Sequence, residues 1–297
     1  MTQLFGGVET GGTWCVCALG RGPGQLVADE QFQTTDPEST IGRIVDFFRR
    51  NSGASAVGIG SFGPVDLDQG SPTWGYVTTT PKPGWRNVSV ASVLSEQLGL
   101  PVVFDTDVSA AAVGEHRWGA GQGAEGLCYL TVGTGIGAGL LAGGRPWHGL
   151  VHPEVGHLRI PRDRYQDPFE GSCPVHGDCW EGLASGASIT ARWQCAPDQL
   201  PPEHPAWALE AEYLALGILS IVMVASPQRV ILGGGVMEHH GLRTMVGSRL
   251  RELVGGYLDT PLLGDEVTSY LVAPALGDRA GVLGAIALAI DAHERGS

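Results

Sequence analysis

Positive charge is scarce in this chain: 18 Lys and Arg stand against 31 Asp and Glu over 297 residues, a formal net charge of −13. A general nucleic-acid surface needs clustered basic side chains, so no nucleic-acid partner is expected. Small anions are not excluded, because backbone amides can hold them locally. No stretch approaches the ~18 consecutive apolar residues of a membrane span. Met1 leads straight into Leu4-Phe5-Gly6-Gly7-Val8, without a charged n-region, an apolar h-region or a small-residue cleavage site. The expectation is a cytoplasmic protein with no membrane partner. Six cysteines are too few for a disulfide framework in a chain this long. Cys15, Cys17, Cys128 and Cys195 therefore read as small hydrophobes in a reducing compartment. Charged residues make up 16% and hydrophobic ones 43%, which describes a foldable chain rather than a disordered one. The length exceeds that at which single cores stop growing, so two domains are expected.

Glycine is abundant instead: 46 residues, about twice ordinary usage. Much of it falls in clusters that follow apolar strands. Leu4–Val8 reads as a strand, Glu9-Thr10-Gly11-Gly12-Thr13 as a turn, and Trp14–Leu19 as the returning strand. Such a turn lets the backbone approach a ligand and presents successive N–H groups, which suits phosphate. Glu9 on the same turn can hold Mg²⁺, directly or through water, or it can be a solvated hairpin residue. Residues 127–142 repeat the design, with Gly133-Thr134-Gly135-Ile-Gly137-Ala-Gly139 between two apolar segments. Two such units about 125 residues apart suggest duplicated halves facing across a cleft. A third cluster, Gly233-Gly234-Gly235, follows the strand Arg229–Leu232 and a helical pattern from Leu209 to Ala225. None has the dinucleotide-binding spacing. Three clusters, each after a strand, fit a nucleoside triphosphate gripped from two sides.

Between the halves, Pro101–Phe104 reads as a short strand, and Asp105-Thr106-Asp107 opens an Ala-rich helix from Val108 to Glu115, with Asp as its N-cap. Asp107 lies in the first turn, where the helix dipole favours the ionised form. Such a carboxylate can take a proton from a bound hydroxyl, help worth about 10²–10⁴ in rate. By spacing alone, the better reading is that both aspartates only cap the helix. Ala56–Gly60 is a further strand. Gly75–Trp85 is loop-like, and its hydroxyls, Lys82 and Trp85 either line a polar pocket or decorate the surface. Ala196–Pro205, with four prolines, is the most linker-like piece. The tail from Ala275 to Ile290 is an apolar helix whose small residues permit close packing.

The densest chemistry runs from His152 to Gly182. Cys173, His176 and Cys179 lie three residues apart, so one tight loop can turn S, N and S atoms to a common point. Zinc takes four N/S ligands in a tetrahedron, and His157 can supply the fourth, with His148 and His152 as nearby alternatives. Glu154 and Glu181 flank these ligands and suit the hydroxyls of a polar substrate.

Taken together, these segments resemble the ROK family of bacterial sugar kinases, and within it the fructokinases, from Gly6 to about Ile290. The matching pieces are Gly6–Thr13, Gly58–Asp66, Gly75–Trp85, Phe104–Val108, Thr131–Gly137, the Glu154-Val-Gly-His157 and Cys-x-x-His-x-x-Cys segments, and Gly233–Val236. The Thr-Thr-Pro-Lys loop and the metal loop are most particular to the fructokinases. The resemblance implies an actin-like, ribonuclease H-like duplicated fold, two α/β domains around a cleft. The smaller domain would be residues 1–115 joined by the helix 278–297, and the larger residues 116–277. It implies transfer of the γ-phosphate of ATP to the 6-hydroxyl of D-fructose, with Asp107 as base and with Mg²⁺ and structural Zn²⁺. Gly11, Gly12, Thr13, Thr134 and Gly135 would contact phosphates, and Gly233, Gly234, Gly235 and Val236, with Pro205, the adenosine. Thr106, Glu154, His157 and Glu181 would stand near the sugar, while His157, Cys173, His176 and Cys179 bind zinc. A homodimer is expected because relatives often form one. Trp14 stands where relatives often place Lys, Ser109 where Asn is common, and Glu9 where most sugar kinases have Asp. Kinases for mannose or glucose, a sugar-sensing regulator and a non-catalytic sugar-binding protein are the alternatives. A regulator would carry a helix-turn-helix ahead of the first glycine turn, for which Gly6 leaves no room.

Overall fold

The computed structural model of the chain describes residues 3–296. In chain order its first elements are β1 (Leu4–Thr10), β2 (Trp14–Gly20), β3 (Leu26–Gln33), α1 (Pro37–Arg50), β4 (Ala54–Ser61), β5 (Tyr76–Val77), β6 (Val88–Ser89), α2 (Ala91–Leu98), β7 (Val102–Thr106) and α3 (Asp107–Trp118). There follow β8 (Leu127–Val132), β9 (Ile136–Ala142), β10 (Arg145–Pro146), α4 (Trp180–Ala184), α5 (Gly186–Trp193), α6 (Ala206–Ala225), β11 (Arg229–Gly233), α7 (Leu242–Val254), α8 (Val267–Tyr270), β12 (Leu271–Val272) and α9 (Ala280–Gly296).

Two five-stranded sheets carry the fold, ordered β3-β2-β1-β4-β7 and β10-β9-β8-β11-β12. They have the same topology. In the first, β1–β2 and β2–β3 pair antiparallel while β4 and β7 join parallel. In the second, β9–β10 is antiparallel and β11 joins β8 and β12 in parallel. The parallel neighbours need crossovers, and the one from β4 to β7 carries α2. This repeated order bears out the duplicated halves inferred from the two strand–glycine-turn–strand segments.

The chain forms two compact units, one of residues up to Gly123 with Gly139–Pro153 and the stretch from Ala275, the other of Ala124–Ala138 with Glu154–Pro274. The division differs from the expected one at three points. Helix α3 runs past 115 to Trp118. Residues 139–153 go with the first unit, where Gly139 lies so close to α3 that a Cβ on it would stand 2.2 Å from the Val108 carbonyl oxygen. That makes the first unit the larger. The proline-rich stretch 196–205 lies inside the second unit and includes a 3₁₀ turn, Pro197–Gln199, so it links no domains.

The core of the first unit gathers Val8, Ile44, Phe47, Ile59, Trp85 and Leu94. Helix α9 packs on β1, β4 and α3 through small residues: a Cβ on Gly284 would stand 1.7 Å from the Ala110 carbonyl oxygen, and one on Gly58 1.9 Å from that of Ala285. In the second unit, α6 carries the core face Trp207, Leu214, Ile218 and Ile221. This helix corrects the expectation about apolar runs, because by length and composition alone it could cross a membrane. It holds Glu210, Glu212 and a buried face against its own unit, which marks a core helix.

Candidate active site and metal centre

In the first unit the site is built from the end of β1, the β1–β2 turn and the start of α3. The turn is closed by Gly11 N–H to the Trp14 carbonyl (2.8 Å). The Thr34 hydroxyl donates to Gly11 O (2.8 Å), and Thr34 N–H to Thr13 O (2.9 Å). Gly12 and Thr13 face outward, and a Cβ on Gly12 would meet nothing within 4 Å, so the backbone here is open to a ligand. Lys82, from the loop after β5, donates to the Gly12 carbonyl at 2.6 Å and to that of Thr34 at 3.3 Å. Trp85 of the same loop lines no pocket: it is fully buried, its ring N–H donates to Thr35 O (2.8 Å), and its ring stands edge-on to Phe62.

Glu9 lies on β1, opposite Val16 and Gly60, rather than in the turn. Its carboxylate is packed against the start of α9, where a Cβ on Gly281 would stand 2.2 Å away. Burial first, then the Asp107 charge, push Glu9 up to about 7, with the Val282 N–H pulling against them. Its Oε2 is buried and makes no hydrogen bond to the described residues. An orphaned carboxylate oxygen with a second carboxylate nearby is an oxygen-only donor set, which fits Mg²⁺.

Asp107 is the first residue of α3, and its Oδ1 accepts the Val108 N–H (2.8 Å). Burial raises its carboxyl to about 6, while that amide and its own pull it down. The N-cap is Thr106, not an aspartate: its hydroxyl accepts Ser109 N–H (3.1 Å) and donates to Ser109 Oγ (2.8 Å). Thr106, expected near the sugar, is 4% exposed and holds the helix start. Ser109 is equally buried and completes the cap. Asp105 accepts Thr106 N–H (2.7 Å) and faces His148 Nε2 at 3.2 Å, which raises the His148 pKa against the effect of burial.

In the second unit, ligand atoms of His157, Cys173, His176 and Cys179 all lie within 4.8 Å of one another. Cys173 Sγ is 3.9 Å from Nδ1 of both His157 and His176, and Cys179 Sγ is 3.5 Å from His157 Nδ1. A tetrahedral zinc with Zn–S ~2.3 Å and Zn–N ~2.0–2.1 Å needs S···N separations of about 3.6 Å, so the four residues fit the metal. Of the three histidines left open as the fourth ligand, His157 is in the cluster. His148 faces Asp105, and His152 Nε2 accepts the Val65 N–H (3.0 Å), both in the first unit. The loop is tight because Cys173 and Gly177 exchange N–H···O bonds (3.2 and 2.9 Å) and a Cβ on Gly182 would stand 1.9 Å from Gly177 O. Asp178, beside Cys179, pairs with Arg159 and Arg164, with Arg162 at 3.9 Å.

Glu181, in the first turn of α4, accepts Ile136 N–H with Oε2 (3.0 Å) and so grips the second glycine turn. Thr134 and Gly135 lie in that turn, whose Gly133 carbonyl takes Gly186 N–H (2.7 Å). Glu154 precedes the 3₁₀ turn Val155–His157. Gly233 ends β11, Gly234 has φ 90°, and Gly235 and Val236 open a 3₁₀ turn. A Cβ on Gly234 would stand 2.4 Å from Val132 O, so only glycine lets the chain pass there. Pro205 caps α6, and nearby Trp207 stacks on His239 at 3.8 Å. The Lys82, Asp105–His148, arginine–Asp178 and Trp207–His239 contacts were not anticipated from sequence, because each joins residues with no local pattern between them.

The ROK family model matches residues 5–292. The chain is 42% identical over 303 residues to the fructokinase of Zymomonas mobilis subsp. mobilis, across 99% of this chain and 98% of that protein. The ROK hexokinase from Thermus thermophilus has a similar structure, with a TM-score of 0.80 at 27% identity over 99% of this chain and 100% of that one. A ROK family glucokinase from Streptomyces griseus, solved in complex with glucose and AMPPNP, matches at a TM-score of 0.73 and 26% identity, over 97% and 99%.

Proposed function

Because the chain belongs to the ROK family, we propose that it is an ATP-dependent fructokinase, transferring the γ-phosphoryl group of ATP to the 6-hydroxyl of D-fructose. The observation that carries this reading is Asp107, a carboxylate at a helix start whose raised pKa of about 6 leaves it ionised yet basic at neutral pH. In the reaction the sugar oxygen forms a bond to the γ-phosphorus as the bond to the β-phosphate oxygen breaks. The electron pair of the broken bond leaves with ADP, and the hydroxyl proton passes to Asp107. Thr106 and Ser109 fix the helix start and so the direction of the base.

The outward amides of Gly11, Gly12 and Thr13, with Thr134 and Gly135, would bind phosphates. Gly233–Val236 and Pro205 would border the adenosine, and Glu154, His157 and Glu181 the sugar. Glu9 would hold Mg²⁺, which when bound neutralises phosphate charge. His157, Cys173, His176 and Cys179 would hold a structural zinc, full with protein ligands, that fixes the sugar-side loop. The chain would work in the cytoplasm as a homodimer, a state that light scattering measures.

Fructose is preferred over other hexoses because a named fructokinase is 42% identical to this chain, against 26% for the glucokinase. The second reading is a mannose or glucose kinase of the same family. Coupled ADP-release assays across hexoses separate the two: fructose turnover, abolished in Asp107→Asn, supports the first reading. Preferred turnover of glucose or mannose supports the second, and hexose binding without ATP consumption would leave a sensor.

A further inference from the structure

Lys82 is the only lysine in the chain; the other 17 basic side chains are arginines. It sits on the first glycine turn. Its Nζ is 2.6 Å from the Gly12 carbonyl and 3.3 Å from that of Thr34, and 6.0 Å from the centroid of the Phe62 ring. Among the described residues no carboxylate pairs with it. The two carbonyls hold the ammonium in place without cancelling its charge, and one of its three N–H groups is left over. The turn itself, Gly11 to Thr13, contains no basic residue. Glu9, on the strand that leads into the turn, is acidic and feels the Asp107 charge, and the space above Gly12 is open.

We propose that Lys82 is the phosphate-side cation of this enzyme, held over the β1–β2 turn so that its charge and its free N–H meet the terminal phosphates of the nucleotide. The proposal deepens the kinase reading and rests on it. A triphosphate entering a turn with no basic residue of its own needs a counter-charge, and Lys82 supplies one from the protein itself. Its bond to the Gly12 carbonyl also polarises the Gly12–Thr13 peptide, which makes the Thr13 N–H a better donor to phosphate. A compact ammonium suits this task where a planar guanidinium would not fit two carbonyls and a phosphate oxygen at once.

The test is nucleotide binding measured by calorimetry without turnover, together with steady-state kinetics, on Lys82→Met, Lys82→Gln and Lys82→Arg. Loss of one such preorganised donor typically costs about 10²–10³ in rate. Lys82→Met is expected to lower kcat/KM for ATP by about 100-fold and to weaken AMPPNP binding, while AMP and hexose affinities stay within about 3-fold of wild type. Lys82→Gln keeps a donor for Gly12 without the charge and is expected to resemble Met. Lys82→Arg is expected to recover part of the loss. Because there is one lysine, acetylation followed by mass spectrometry gives an independent reading: AMPPNP should protect Lys82, and hexose alone should not. Equal AMPPNP affinity in wild type and Lys82→Met, or weakened hexose binding with nucleotide unaffected, would overturn the proposal. A wild type that binds AMPPNP but phosphorylates no hexose would sink the kinase reading while leaving the binding contrast to decide on Lys82.

Discussion

The Glu181 carboxylate accepts the Ile136 N–H at 3.0 Å, so a residue two places beyond a candidate zinc ligand fixes the second glycine turn. The same oxygen fills the space beside Gly135, where a Cβ would stand only 2.4 Å away. The Cys/His loop and the glycine turn of this unit are thus joined by a charge-assisted hydrogen bond.

Gly135→Ala should break that join. The methyl group displaces Glu181, and either the turn or α4 must shift, at a cost of about 1–3 kcal/mol. The expected result is a raised KM for ATP and a lowered melting temperature. Unchanged ATP kinetics would mean that the carboxylate swings aside without consequence.

The four-residue Cys/His cluster predicts one zinc per chain by elemental analysis. Structural zinc sites contribute folding energy directly, so chelation should lower the melting temperature by about 10 °C or more. Cys179→Ser should lose the metal and most of the activity, because α4 and Glu181 begin at that ligand. A metal-free wild type with full activity and unchanged melting would remove the metal from the mechanism.

Activity should depend on pH through Asp107. The base must be ionised, and burial raises its carboxyl to about 6, so kcat should rise as pH increases through that value and level off above it. Glu9 interacts with Asp107 and is itself raised to about 7, so the limb reports the pair rather than either residue. With Mg²⁺ saturating, a cation beside Glu9 favours its ionised form and should move the limb to lower pH. A rate flat from pH 5 to 8 would contradict this assignment.

What could be read from the sequence was whatever a short window contains. The Cys-x-x-His-x-x-Cys loop announces three ligands in seven residues, and each glycine turn lies between its own two strands. The fourth ligand is legible less firmly: His157 is the first choice, with His148 and His152 nearby in sequence, and the fold puts His157 in the cluster while turning the other two toward Asp105 and Val65 N–H. The helix cap reads as Asp because Asp is a better N-cap than Thr; that Thr106 caps instead depends on where β7 ends. Trp85 reads as either a pocket residue or a surface one because its loop is rich in Pro and Gly, yet the ring fills the core. Lys82 reaches Gly12 across 70 residues, a pairing no periodicity encodes.

Asp107→Asn should abolish turnover and yet stabilise the protein. An unfolded aspartate has a pKa near ~3.9. In the folded chain burial lifts it to about 6, so between these values the native state binds more protons than the unfolded one. Wild-type stability therefore falls as pH rises through that window and stays lowered above it. Asparagine carries no charge to bury, and its side-chain oxygen can still accept the Val108 N–H. It also removes the neighbouring charge that helps to raise Glu9. The variant should exceed wild type by about 1–3 kcal/mol at pH 7.5, with the difference shrinking to nothing near pH 4. Paired urea titrations at the two pH values measure it. An Asp107→Asn protein no more stable than wild type at pH 7.5 would mean that this carboxylate is well solvated, and with that the reason for its raised pKa would be gone.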